Sequence, residues 1–134
     1  MWRSEGLWHT AAPMRLYALR GANHVSANQA AAILTATDEL VRELMERNSL
    51  EPEAMVSCIF TLTDDLDAEF PAVAARNLGL NRVPLLCARE VPVPGALPRV
   101  IRVLVHYYAP EEHEPRHVYL GDARALRVDL DSAQ

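Results

Sequence analysis

Five arginines stand inside or at the ends of apolar runs: Arg20, Arg76, Arg102, Arg116 and Arg127. A guanidinium stays charged at any working pH and grips a carboxylate through two parallel N–H bonds. Several of them converging on one pocket would suit a ligand with two carboxylates, although each taken singly reads more readily as a surface or paired side chain. Arg102 is the most unusual, a permanent cation between Val100, Ile101, Val103 and Leu104. An ion taken out of water without a partner is heavily penalised, so an anion is expected beside it, and Glu90 is the obvious candidate.

No familiar catalytic motif accompanies the arginines. The chain has no Gly-rich phosphate loop, no CxxC, no HExxH and no Gly-x-Ser-x-Gly. Its five histidines are scattered, and no metal site is expected. Cys87 as a nucleophile would need a neighbouring base and a lowered pKa, neither of which the sequence offers, so it reads as a small apolar side chain.

These residues must be positioned by a small scaffold. A chain of 134 residues, half of them hydrophobic, suits one domain. It has little spare length with which to enclose a pocket, so a site shared between subunits is plausible. The net charge of -5 and the pI near 5.5 oppose nucleic-acid binding, which calls for a basic cluster. Cys58 and Cys87 lie in apolar runs, residues 1–13 lack the apolar stretch of a secretory signal, and no run reaches membrane-spanning length. A soluble cytoplasmic protein with reduced thiols is expected.

Residues 1–13 show no period and read as a flexible leader or a cloning remnant; the domain is expected over 14–130, with 131–134 as a tail. The run from Met14 to Arg20 reads as a strand ending at a Gly21 turn, which puts Arg20 at a strand end. Ser26 and Gln29 spell a capping box before a helix over roughly 27 to 48, with Ala30, Ile33, Leu34, Thr37, Leu40, Val41 and Leu44 on one face. Met55 to Thr63 reads as a strand, Pro71 opens a short helix ending at Gly79, and Val83 to Val91 reads as a third strand. A proline-rich loop then leads to Val100 to Tyr108, a strand apolar on both faces and therefore expected to be covered on both. The order βαβαββ predicts an α+β or α/β domain around one mixed sheet.

Five segments, in order, resemble the AroH class of chorismate mutases: RGA from Arg20, FPAxAAR from Phe70, VPLLCARE from Val83, a Gly-Ala-Leu turn leading to IRV at Ile101 to Val103, and RHVYL from Arg116. The resemblance spans about residues 14 to 130. It implies an α+β chain with a mixed β-sheet and flanking helices, assembled as a homotrimer with a pseudo-α/β-barrel core and active sites between subunits. It further implies rearrangement of chorismate to prephenate without a cofactor, on the way to phenylalanine and tyrosine. By the same resemblance, Arg102 faces the ether oxygen, Glu90 orients Arg102 and, with the Cys87 region, binds the ring hydroxyl, and Arg20 and Tyr119 hold the side-chain carboxylate. Phe70, Ala72, Val73 and Arg76 of a neighbouring subunit then close the pocket, Leu86 lies beside Cys87, and Leu126 and Arg127 cover the site. The sequence departs from the family pattern at Val73, where a lysine is usual, and at Leu86, where a threonine often precedes the cysteine, which predicts weaker substrate affinity and the same reaction. A trimeric YjgF-like protein handling small carboxylates or imines is the alternative reading, set apart by its single clamping arginine. A non-catalytic trimer that senses an aromatic-pathway metabolite is a third.

Overall fold

The computed structural model describes residues 13–126. Five strands form one mixed sheet: β1 (Met14–His24), β2 (Met55–Leu62), β3 (Leu85–Arg89), β4 (Val100–Pro110) and β5 (Val118–Tyr119), in the order β3-β2-β4-β1-β5. β4 is central and antiparallel to both β1 and β2, whereas β3 runs parallel to β2 and β5 parallel to β1. Helices α1 (Ala30–Arg47) and α2 (Pro71–Asn77) pack against each other and against the sheet.

Alternation along β4 explains the layering, because successive side chains of a strand leave opposite faces. Ile101, Val103, Val105, Tyr107 and Ala109 are buried in a core that includes Ile33, Leu40, Val41 and Leu44 of α1. Each fully buried side chain of this size contributes about 1.5–3 kcal/mol. The other face of β4 carries Arg102, Leu104 and His106, all half-buried, and the exposed Tyr108. Of the two coverings expected for this strand, the described residues supply one.

Three local expectations change. β1 does not end at Gly21 but continues to His24, with Gly21 buried in the sheet. A Cβ there would lie 3.0 Å from the Val118 carbonyl oxygen, 3.1 Å from Leu40 Cδ1 and 3.2 Å from Val103 Cγ1. Close approach, not a turn, is why glycine stands at this position. α1 starts at Ala30, and its N-cap Gln29 makes no side-chain cap hydrogen bond, so the capping box does not form. The polar side chain before the helix serves a tertiary contact: Asn28 Oδ1 accepts from the N–H groups of Asp67 and Ala68, and its Nδ2 donates to Asp67. The third strand is also shorter than expected, covering Leu85–Arg89.

Both helices end on residues in the left-handed region. Gly79, at φ +99°, closes α2 as its N–H donates to the Arg76 carbonyl and that of Leu80 to the Ala75 carbonyl. Ser49, at φ +48°, closes α1 with the same pair of bonds, to Glu46 and from Leu50 to Met45.

Candidate active site

The uncovered sheet face brings the sequence's chemistry together. Arg102 on β4 lies opposite Thr61 on β2, and Arg20 on β1 lies opposite Leu104 one pleat further along. Cross-strand partners share a face, so both arginines project to the same side. They border a depression of about 260 Å³ whose lining includes Ile59, Thr61, Leu104 and Tyr119. Tyr119 arrives on β5, opposite Ala22.

Glu90 follows directly on β3, and its N–H donates to the Leu62 carbonyl at 2.9 Å, which continues the ladder by one bond. Its carboxylate takes the Arg102 Nε–H at 3.2 Å through Oε1 and 3.1 Å through Oε2, while Thr61 Oγ1 donates to Oε2 at 2.7 Å. The ion partner expected from sequence is the one found. Burial is less than the flanking sequence implies: the Arg102 side chain is 43% exposed and that of Glu90 15%. β4 presents Arg102 to the face that the helices leave open.

Only Nε of Arg102 is engaged by Glu90. Among the described residues, neither terminal nitrogen of Arg102 nor any side-chain nitrogen of Arg20 has a hydrogen-bonding or ionic partner. Two guanidinium heads thus border one largely apolar hollow, ready for anionic oxygens. Arg20 is held from behind, its backbone N–H donating to His117 Nδ1 at 3.0 Å.

Residues 16–130 match the family model for chorismate mutase type I. The chain belongs to that family. It is 51% identical over 118 residues to chorismate mutase AroH of Thermus thermophilus, covering 87% of this chain and 97% of that one. With chorismate mutase AroH of Bacillus subtilis it shares 38% identity over 120 residues, 87% of this chain and 94% of that one. The solved structure of a chorismate mutase from Clostridium thermocellum superposes with a TM-score of 0.77 at 44% identity, covering 81% of this chain and 98% of that one. The YjgF-like alternative is not favoured by these relationships.

As a member of the chorismate mutase type I family, the chain carries part of its expected site set in one place and part elsewhere. Arg20, Arg102, Glu90 and Tyr119 gather at the open face. Leu126 packs on the cluster of Ala22, Val100, Tyr119 and Ala123, of which Ala22 and Val100 lie on the same side of the sheet as Arg102. Leu86 is 60% exposed and shares the open face through its pairing with Ile59. The Cys87 side chain is on the opposite face, paired with the buried Phe60 and packed against the helix-side core. Phe70 and Cys87 border a separate hollow of about 380 Å³ with Leu66 and Arg89. On α2, Ala72 is buried within its own chain, Val73 is half-buried and Arg76 is exposed. Arg116 departs from the expected convergence: its main-chain N–H and carbonyl are clamped by Asn48 at the end of α1, away from the Arg102 hollow. Arg127 lies outside the described residues.

Sequence reasoning overlooked Thr61 and His117, both in direct contact with the site's charged residues. Thr61 could have been found from the period-two pattern of β2, where Ser57, Ile59 and Thr61 share the face that opposes His106, Leu104 and Arg102. His117 carried no such signal, because its contact depends on β5 joining β1 in parallel across a long stretch of chain.

Proposed function

We propose that this protein is a chorismate mutase that converts chorismate to prephenate in phenylalanine and tyrosine biosynthesis, working in the cytoplasm as a homotrimer. The observation that carries the reading is the pair of guanidinium heads, Arg102 and Arg20, bordering one apolar hollow with their terminal nitrogens unengaged among the described residues. Chorismate is a dicarboxylate, and its rearrangement breaks one C–O bond and forms one C–C bond within the same molecule. No proton or group has to leave, so shape and charge suffice as catalytic means.

Arg102 faces the ether oxygen, which gains negative charge as the C–O bond lengthens. A fixed cation aimed at developing charge stabilises the transition state more than the ground state. Glu90 holds the Nε side of Arg102 and aims its terminal nitrogens at the hollow; with the main chain of the Cys87 segment, whose side chain faces the helices, it also meets the ring hydroxyl. Arg20 and Tyr119 take the side-chain carboxylate. Leu86 and Leu126 border the bound substrate.

Phe70, Ala72, Val73 and Arg76 complete the pocket of the neighbouring subunit. Support for a shared site comes from Phe70, a 66% exposed aromatic, and from Arg76, exposed on α2 and likewise unpaired among the described residues. The pseudo-α/β-barrel core would be built from three copies of the open sheet face. Among the described residues, no helix is long and apolar enough to cross a membrane.

The test is the fall of chorismate's ultraviolet absorbance on adding purified protein in the presence of a chelator, with prephenate identified as product. Saturable conversion is expected. A folded protein that binds chorismate without converting it would overturn the enzymatic reading.

A further inference from the structure

We infer that Thr61 is a positioning residue for the rearrangement, acting on Arg102 through Glu90; the inference rests on the mutase reading above. The Arg102 Nε–H is shared almost equally between the two Glu90 oxygens, at 3.2 Å and 3.1 Å. Such a forked bond fixes the distance between the groups but does little to fix the rotation of the carboxylate, because either oxygen serves equally well. The Thr61 hydroxyl removes this ambiguity by donating to Oε2 at 2.7 Å. Among the described residues, no other side chain donates to the Glu90 carboxylate.

Thr61 suits the task for three physical reasons. Its backbone sits between two strands, in register with Arg102 on β4 and Ala88 on β3, so its own position is set by ladders on both sides. A β-branched side chain in a strand has few rotamers, and its hydroxyl therefore has a defined direction. It also shares the open face with Arg102, so the donor, the carboxylate and the guanidinium form a short chain ending at the hollow. A guanidinium that is free to tilt would present its charge to the ether oxygen in only a fraction of encounters, and small misplacements of a catalytic group lower the rate steeply.

Thr61→Val removes the hydroxyl while keeping the shape and the strand preference of the side chain. The expected result is a fall in kcat of about tenfold, the order expected for losing one hydrogen bond to a charged group. KM should change by less than about twofold, because Arg20 and Tyr119 still hold the substrate carboxylate. Thr61→Ser, which restores the donor, should recover at least about half of the wild-type kcat. The thermal midpoint of both variants identifies any loss that comes from misfolding. A Thr61→Val protein with wild-type kcat would overturn the inference, as would a Thr61→Ser protein as slow as Thr61→Val, or a loss appearing in KM instead of kcat. Wild-type protein assayed in parallel separates the two ideas: if it does not convert chorismate the functional reading fails, whereas an active wild type with an unaffected Thr61→Val variant sinks only the role of Thr61.

Discussion

Arg102 stands on β4 and Glu90 just past the end of β3, and their pairing is what converts an awkward cation into an aimed one. The forked bond uses Nε and leaves the terminal nitrogens without a partner among the described residues, on a side chain that lines the hollow. Arg102→Ala is therefore expected to lower kcat by about 10²- to 10³-fold, the scale seen when one donor to a developing oxyanion is removed. Circular dichroism should remain native, because nearly half of that side chain is exposed and little packing is lost. Arg102→citrulline keeps the shape and N–H groups but not the charge; if charge carries the catalysis, it should be nearly as slow as the alanine variant. Cys58 is a different kind of residue-scale test. Burial, with a smaller contribution from the Cys87 thiol, pushes its pKa up from 9.0 to about 12. The native state thus keeps this proton where the unfolded chain has lost it. The free energy of unfolding should be independent of this group below the unfolded pKa of 9.0 and fall as pH rises from there towards about 12. Tyr107, raised from 10.0 to about 12 chiefly by burial, adds the same sign over the upper part of that window. Urea midpoints measured on either side of the onset should show this decline, and Cys58→Ala should reduce its slope; an unchanged slope would rule out the cysteine as its source.

At the scale of elements, Ser49 offers a clean test of backbone strain. It closes α1 at φ +48°, a conformation unfavourable to a residue with a Cβ, and it is exposed. Ser49→Gly keeps both capping bonds and should stabilise the protein by about 0.5–1 kcal/mol, raising the thermal midpoint by a few degrees. Gly79 occupies the equivalent place after α2, and there glycine and helix end were both legible in the sequence. Other elements show where legibility stopped. Of the face that the apolar period of α1 marks out, Ile33, Thr37, Leu40, Val41 and Leu44 are buried, because packing against a sheet demands that spacing. Leu34 is half-buried, Ala30 at the helix start is exposed, and Ala36 is buried beside them. Its start was misread since Ser26 and Gln29 spell a cap that the fold does not use. Gly21 was misread because a residue chosen for close approach looks, in one dimension, like one chosen for a turn. At the site, Glu90 could be proposed as the partner of Arg102 from charge alone. Thr61 and His117 could not, because their roles arise from strand pairing and not from composition.

For the whole molecule, the decisive feature is the sheet face that two helices on one side leave open. Leu16, Val56, Leu86 and Tyr108 are exposed large side chains on β1, β2, β3 and β4, and three of them, Leu16, Leu86 and Tyr108, share the face that carries Arg102. A sheet that is apolar on its second face calls for a second cover, and further copies of the chain would supply it while bringing Phe70 and Arg76 of one protomer to the arginines of another. That arrangement makes a prediction that no single-chain site can match. If the pocket is shared as proposed, Arg102→Ala and Arg76→Ala would damage opposite sides of it, so each variant alone should be impaired. Unfolded together in equal amounts and refolded, they should assemble at random, with an intact Arg102 side meeting an intact Arg76 side in about one quarter of the pockets. Mutase activity should rise in the mixture to about that fraction of the wild-type value, and sedimentation should show trimers throughout. If the mixture stays as slow as its components while its trimers form, Arg76 serves the chain that carries it, and the pocket is not shared in the way proposed.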